Sequence, residues 1–132
     1  MKGIALKGAL APKGHYAPAI ESCGLVFASG LLPMDPITGA PVRGSFEEQL
    51  EALFRNAATL LASAGCARED VVKITAYLSD VALWGRFNTA CAAFFGGHKP
   101  ARTVVPLGGK LHYGLDMEME FVAECREGPH AQ

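Results

Sequence analysis

The chain has no apolar run approaching the roughly 20 residues that span a membrane. Its start, Met1-Lys2-Gly3-Ile4, lacks the long apolar segment of a secretory leader. A cytoplasmic protein is expected, with no membrane partner. Charge of one sign is not in excess either: 12 Lys and Arg stand against 13 Asp and Glu, a net charge of -1. The basic residues form no stripe and are not interleaved with aromatics, so nothing points to nucleic acid as a partner. Cysteine is sparse. Cys23, Cys66, Cys91 and Cys125 make no CxxC pair and hold no zinc-ligand spacing with a histidine. In the cytoplasm they are expected as reduced thiols. His15, His98, His112 and His130 are too dispersed to argue for a metal.

What the chain does have is apolar material: half of its 132 residues are hydrophobic, enough for one core. One domain over residues 1–132 is expected. Ile4 to Leu6 reads as a weak first strand. Ala19 to Ser29 reads as a hairpin, turning at Glu21-Ser22-Cys23-Gly24, with Gly24 supplying a positive φ cheaply. Leu31 to Arg43 reads as an ordered loop with a turn at Asp35-Pro36-Ile37-Thr38-Gly39. Ser45 to Ala64 carries the strongest helix signal. Ser45 and Glu48 form a capping box, and Phe46, Leu50, Leu53, Ala57, Leu60, Leu61 and Ala64 recur on one face. Gly65 sits where a left-handed cap belongs.

Val71 to Leu78 reads as a central strand. Ser79-Asp80 caps a second helix over roughly 81–95, with Trp84, Phe87, Cys91, Phe94 and Phe95 on its apolar face. A strand from Ala101, a glycine-rich connection and a strand near Met117 to Ala123 follow. Glu127 to Gln132 reads as a frayed tail. Each strand-helix-strand unit implies parallel neighbours joined by a right-handed crossover. Two helices cover one face of a sheet, so the other face is expected to be buried by further subunits in cyclic symmetry.

Two charged positions interrupt apolar strands: Arg102 in the first strand of the Pro100–Glu120 stretch, and Glu118, with Glu120, in the second. A charge in such a strand is costly unless paired, solvated or used. For Arg102 two readings stand: an ion pair to Glu118 or Glu120, or a planar fork for a small carboxylate. Glu118 and Glu120 share a strand face, being two apart. For Glu120 the pairing or solvating reading is preferred.

The landmarks Gly14-His15-Tyr16, Val26-Phe27-Ala28-Ser29-Gly30, Pro33-Met34-Asp35-Pro36-Ile37-Thr38-Gly39, Val71 through Asp80, Phe87-Asn88, Phe94-Phe95, Pro100-Ala101-Arg102 and Met117-Glu118-Met119-Glu120 occur in an order and spacing that resemble the RidA/YjgF family of reactive-intermediate deaminases. The resemblance runs from Gly14 to Ala123. It implies an α+β, chorismate-mutase-like fold: a mixed sheet with two helices on one face, assembled as a homotrimer with sites between subunits. It implies hydrolysis of 2-imino or enamine acids to 2-keto acids and ammonia, with no cofactor. By the same resemblance Arg102 binds the substrate carboxylate and Glu118 orients the water. Tyr16, Ser29 and Asn88 shape the site. Val104, standing where the family often has cysteine, contributes its main chain. The connection from Leu107 to Gly114, with Lys110, His112 and Tyr113, departs from the family pattern and leaves substrate choice open.

Residue by residue, simpler readings stand beside these. Tyr16 also fits a packed aromatic, Ser29 turn chemistry, and Asn88 an exposed or inter-subunit polar position. Three other functions fit the scaffold: a binding or sensing trimer for small carboxylates, a pathway-specific deaminase for an aminomuconate-like substrate, and a ribonuclease. The last is disfavoured by the missing basic patch and missing acid–base histidine pair.

Overall fold

In the computed structural model, which describes residues 1–125, six strands form one mixed sheet with two helices packed on one face. The strands are β1 (Lys2–Ile4), β2 (Ala19–Ser22), β3 (Leu25–Ala28), β4 (Val71–Leu78), β5 (Ala101–Pro106) and β6 (Met117–Glu124). The helices are α1 (Phe46–Ser63) and α2 (Trp84–Phe95). Short 3-10 turns lie at Arg68–Asp70, Val81–Leu83 and His112–Gly114. Among the described residues no helix is long and apolar enough to cross a membrane. The expected tail at Glu127 to Gln132 lies outside the described residues.

Helix α1 begins where its sequence says it must. Ser45 Oγ accepts from the Glu48 amide at 3.1 Å, and Glu48 Oε1 accepts from the Ser45 amide at 2.8 Å. Gly65 follows the last turn at φ 76°. The hairpin β2–β3 turns at Cys23 and Gly24, both at positive φ, the geometry that matches strand twist in a two-residue loop. Asp35 Oδ1 accepts from the amides of Ile37 and Thr38, which fixes the turn at Pro36. The second helix starts later than expected. Asp80 Oδ1 caps the 3-10 turn at Val81–Leu83 through the Ala82 amide at 2.8 Å, and α2 proper begins at Trp84.

The sheet order is β1-β2-β3-β6-β4-β5. The pair β4–β5 is parallel, as a strand-helix-strand unit requires. The other unit differs from expectation, because β3 and β4 are not neighbours. The last strand, β6, lies between them and is antiparallel to both. Its alternate residues Met117, Met119, Phe121 and Ala123 are all buried, so it belongs at the centre rather than at an edge. The first strand lies two residues earlier than the pattern at Ile4 to Leu6 indicates. Its position is set by pairing, with Ile4 opposite Ala19.

One face of the sheet carries Ile4, Ala19, Val26, Ile74, Ala76, Leu78 and the four β6 residues just named. These join Leu50, Leu53, Ala57, Leu60 and Leu61 of α1 and Phe87, Cys91 and Phe95 of α2 in a single core. Arg86 of α2 grips Glu47 of α1 in a two-pronged pair at 2.6 Å, which holds the Glu47 carboxyl down at about 2. The pair is solvent-exposed and adds little to stability. The other face carries Phe27, Lys73, Thr75, Tyr77, Glu118, Glu120 and Val122, and no helix of the described residues lies on it.

Cys66 and Cys125 form a disulfide, with Cα atoms 5.4 Å apart and a sequence separation of 59. This corrects the expectation that every cysteine is a reduced thiol; Cys23 and Cys91 are free. The turn at Gly65 folds Cys66 back, its amide donating to Leu61 O. The end of β6 reaches the same place, the Cys125 amide donating to Gly24 O.

Candidate functional site

Arg102 sits on β5, the last strand of the sheet, in register with Ile74 and therefore on the helix-covered face. Its Nη1 donates to Asn88 Oδ1 of α2 at 2.9 Å. Its guanidinium carbon lies 5.4 Å from the Trp84 ring and 5.7 Å from the Phe87 ring, so two aromatic faces flank the cation. Beneath it lies the thiol of Cys91, which burial pushes up and contact with the guanidinium draws partly back. Among the described residues no carboxylate comes within ion-pair distance of Arg102. The ion-pair reading to Glu118 or Glu120 is therefore not what the structure shows.

Beside the guanidinium is a cavity of about 220 Å³ lined by Leu78, Val81, Trp84, Arg102, Val104 and Pro106. Arg102 is the one charged group in that lining. The sequence-selected residues Arg102, Asn88 and Val104 thus meet at one place.

Glu118 is elsewhere. It sits on β6 opposite Tyr77, on the face that no described helix covers. Burial pushes its carboxyl above the ordinary 4.5, the charge of His112 opposes, and Glu120 adds to the rise. Glu120 is exposed and accepts from the Tyr77 hydroxyl at 3.2 Å, in line with its pairing role. The segment after β3 runs alongside. Leu31 and Met119 exchange amide bonds at 2.7 and 3.0 Å, which brings Gly30 against the Glu118 carboxylate. A Cβ at Gly30 would collide with Glu118 Oε2.

Ser29 Oγ donates to Ala17 O at 2.7 Å, and its amide donates to Pro18 O. That hydroxyl pins the loop that carries Tyr16. Tyr16 itself is 56% exposed, with its ring over Gly14. Ser29 therefore neighbours Glu118 through Gly30, while Arg102, Asn88 and Val104 form a second group. One chain holds the two groups on opposite faces of its sheet and does not bring them together.

The Leu107 to Gly114 connection is held at its end rather than loose. Burial pushes the Asp116 carboxyl up, but hydrogen bonds from Lys110, Ser79 and Gln49 more than offset it and hold it below the ordinary carboxylate range. Lys110 is thus engaged with Asp116, and the ring of His112 lies 6.3 Å from that of Tyr113. Three positions escaped the sequence reading as site residues. Gly30 matters through close approach, which only a structure shows. Trp84 was assigned to the apolar face of its helix, yet it is 43% exposed beside Arg102. Tyr77 was read only as strand.

Comparison with known proteins fits this geometry. Residues 6–125 match the family model described as Endoribonuclease L-PSP. A RutC family protein of Pyrococcus abyssi is 37% identical over 112 residues, covering 85% of this chain and 87% of that protein. The 2-iminobutanoate/2-iminopropanoate deaminase of Rattus norvegicus is 32% identical over 122 residues, covering 92% and 88%. The crystal structure of E. coli TdcF with bound serine superposes with a TM-score of 0.85 at 25% identity, covering 94% and 98%. The mixed six-stranded sheet, the two helices on one face and these matches together establish that the chain belongs to the L-PSP family, also called the YjgF/RidA family.

Proposed function

We propose that the protein hydrolyses 2-imino or enamine acids to 2-keto acids and ammonia, at sites formed between copies of the chain in a homotrimer. The observation that carries this reading is Arg102: a permanent cation beside a cavity, held by a neutral amide, a thiol and two rings, with no carboxylate among the described residues within ion-pair distance. A guanidinium kept in such a place favours a planar carboxylate, with two parallel N–H bonds to its two oxygens. The relatives support the same direction, one being named for deamination of small imino acids and one having been solved with an amino acid bound.

The second group supplies the rest. Glu118 from a neighbouring copy orients a water and accepts its proton as the oxygen attacks the imine carbon. The C=N electron pair passes to nitrogen, which takes up a proton, giving a carbinolamine. The carbinolamine hydroxyl then gives up its proton and the nitrogen gains one, Glu118 relaying it, as the C–N bond breaks; ammonia leaves, and the oxygen becomes the keto group. A protonated imine is already electrophilic, so positioning is most of what the protein must provide. Val104 offers its main chain beside Arg102, while Tyr16 and Ser29 shape the Glu118 side. The substrate is the small-molecule partner, and the chemistry needs neither metal nor cofactor.

The test is ammonia release from imines generated in place by an amino-acid oxidase. Arg102→Ala is expected to lower kcat/KM by about 100-fold or more, since charge-assisted bonds to a carboxylate are worth about 1.5–3 kcal/mol each. Wild-type protein that accelerates the hydrolysis of no imine among several would overturn the reading.

A further inference from the structure

The cavity beside Arg102 has one polar corner and otherwise apolar walls. Leu78, Val81, Val104 and Pro106 line it with Trp84, and Arg102 is its one charge. Trp84 lies at the N-terminal end of α2, which Asp80 and the preceding 3-10 turn hold against the end of β4. Its indole stacks near the guanidinium and yet remains 43% exposed, although a tryptophan on the apolar face of a helix would ordinarily be buried. Val81 beside it is 64% exposed. An apolar wall left open next to a cation that no carboxylate of the described residues pairs is complementary to a ligand that is anionic at one end and apolar at the other.

We infer that Trp84 is the specificity-determining residue of this site, its indole forming the wall against which the α-substituent of an Arg102-held 2-imino or 2-keto acid packs. The ligand class is a monocarboxylate with an apolar, branched or aromatic side chain. A second carboxylate on the substituent would enter an apolar wall in which this chain supplies no second cation, so dicarboxylates are selected against. This rests on the reading of Arg102 as the carboxylate anchor and goes beyond it by naming what lies at the other end of the ligand.

Trp84 is the only tryptophan in the chain, so intrinsic fluorescence reports on this wall alone. The assembled protein is titrated with three stable 2-keto acids: pyruvate, 4-methyl-2-oxopentanoate and 2-oxoglutarate. Each buried methylene is worth about fourfold in affinity, and burial beside an open wall is partial. The branched acid is therefore expected to bind about tenfold more tightly than pyruvate, and 2-oxoglutarate about tenfold more weakly than the branched acid. Each binding event should change Trp84 emission.

In Trp84→Ala, followed by calorimetry, the ratio of branched acid to pyruvate falls toward one. Trp84→Phe keeps most of the ratio. A merely structural tryptophan would weaken all three acids alike and leave the ratio intact. The inference is overturned by an unchanged ratio in Trp84→Ala, by 2-oxoglutarate matching the branched acid, or by no acid binding at all. Graded binding without ammonia release would remove the deaminase reading and leave this one standing. Ammonia release with a flat side-chain profile would do the reverse.

Discussion

Gly30 and Glu118 show how little room the Glu118 carboxylate has. A methyl group at position 30 would strike the end of the Glu118 side chain rather than backbone, so the carboxylate would swing aside and the fold would hardly change. Gly30→Ala is expected to lower kcat/KM by roughly 10- to 100-fold, because small misplacements of reacting groups are costly. Thermal unfolding should register less than about 1 kcal/mol.

Glu118 also sets a pH signature. Its carboxyl is raised above 4.5, first by burial, so the ionised form that can take a proton from water appears only as pH climbs through that raised value. The acid limb of kcat/KM should therefore lie above 4.5, and it should vanish with the activity in Glu118→Gln. The sign for stability follows from the same shift. A carboxyl raised in the folded state contributes stability below its unfolded pKa and loses it as pH rises through the folded value. Glu118→Gln should thus be at least as stable as wild type near neutrality while turning over little or no substrate. Activity retained with an ordinary acid limb would count against Glu118 as the base.

At the scale of the elements, what could be read from sequence was local. Helix α1 was legible because the Ser45–Glu48 box and the apolar spacing are determined by residues three and four apart. The hairpin at Cys23-Gly24 was legible for the same reason. The position of β6 was not. Its alternating pattern says that one face is buried, but which strands it lies between depends on partners distant in sequence. Arg102 and Glu118 stood out as charges in apolar runs, yet only the β5 and β6 registers reveal that they face opposite sides.

Cys66–Cys125 was hidden likewise, its partners joined by the turn after α1 and the far end of β6. It leads to a direct count. Denatured without reductant, the chain should expose two alkylatable thiols, Cys23 and Cys91, and after reduction four. Reduction should lower stability by about 2–4 kcal/mol. Four thiols before reduction would contradict the linkage.

For the whole molecule the governing fact is that the Arg102 and Glu118 groups lie on opposite faces of the sheet. The helix-covered face ends in Arg102, Asn88 and Val104 at the edge strand, and the uncovered face presents Glu118 beside Gly30 and Ser29. That uncovered face also carries Phe27 at 45% exposure, with Tyr77 and Val122 half-buried beside it. The proposed homotrimer would account for both features, if its copies are arranged head to tail around an axis so that the edge strand of one meets the uncovered face of the next. In that arrangement each site takes its guanidinium from one chain and its carboxylate from another.

The most direct measurement is complementation. Arg102→Ala and Glu118→Gln, each inactive alone, are unfolded, mixed in equal amounts and refolded together. If the two groups come from different chains in a closed ring, each interface has an even chance of intact arginine and an even chance of intact glutamate. About one quarter of wild-type activity should then return. If the mixture stays as inactive as its two components, with mixed oligomers shown to form, the arginine and the glutamate do not serve one site across a subunit boundary, and the account of the mechanism is wrong.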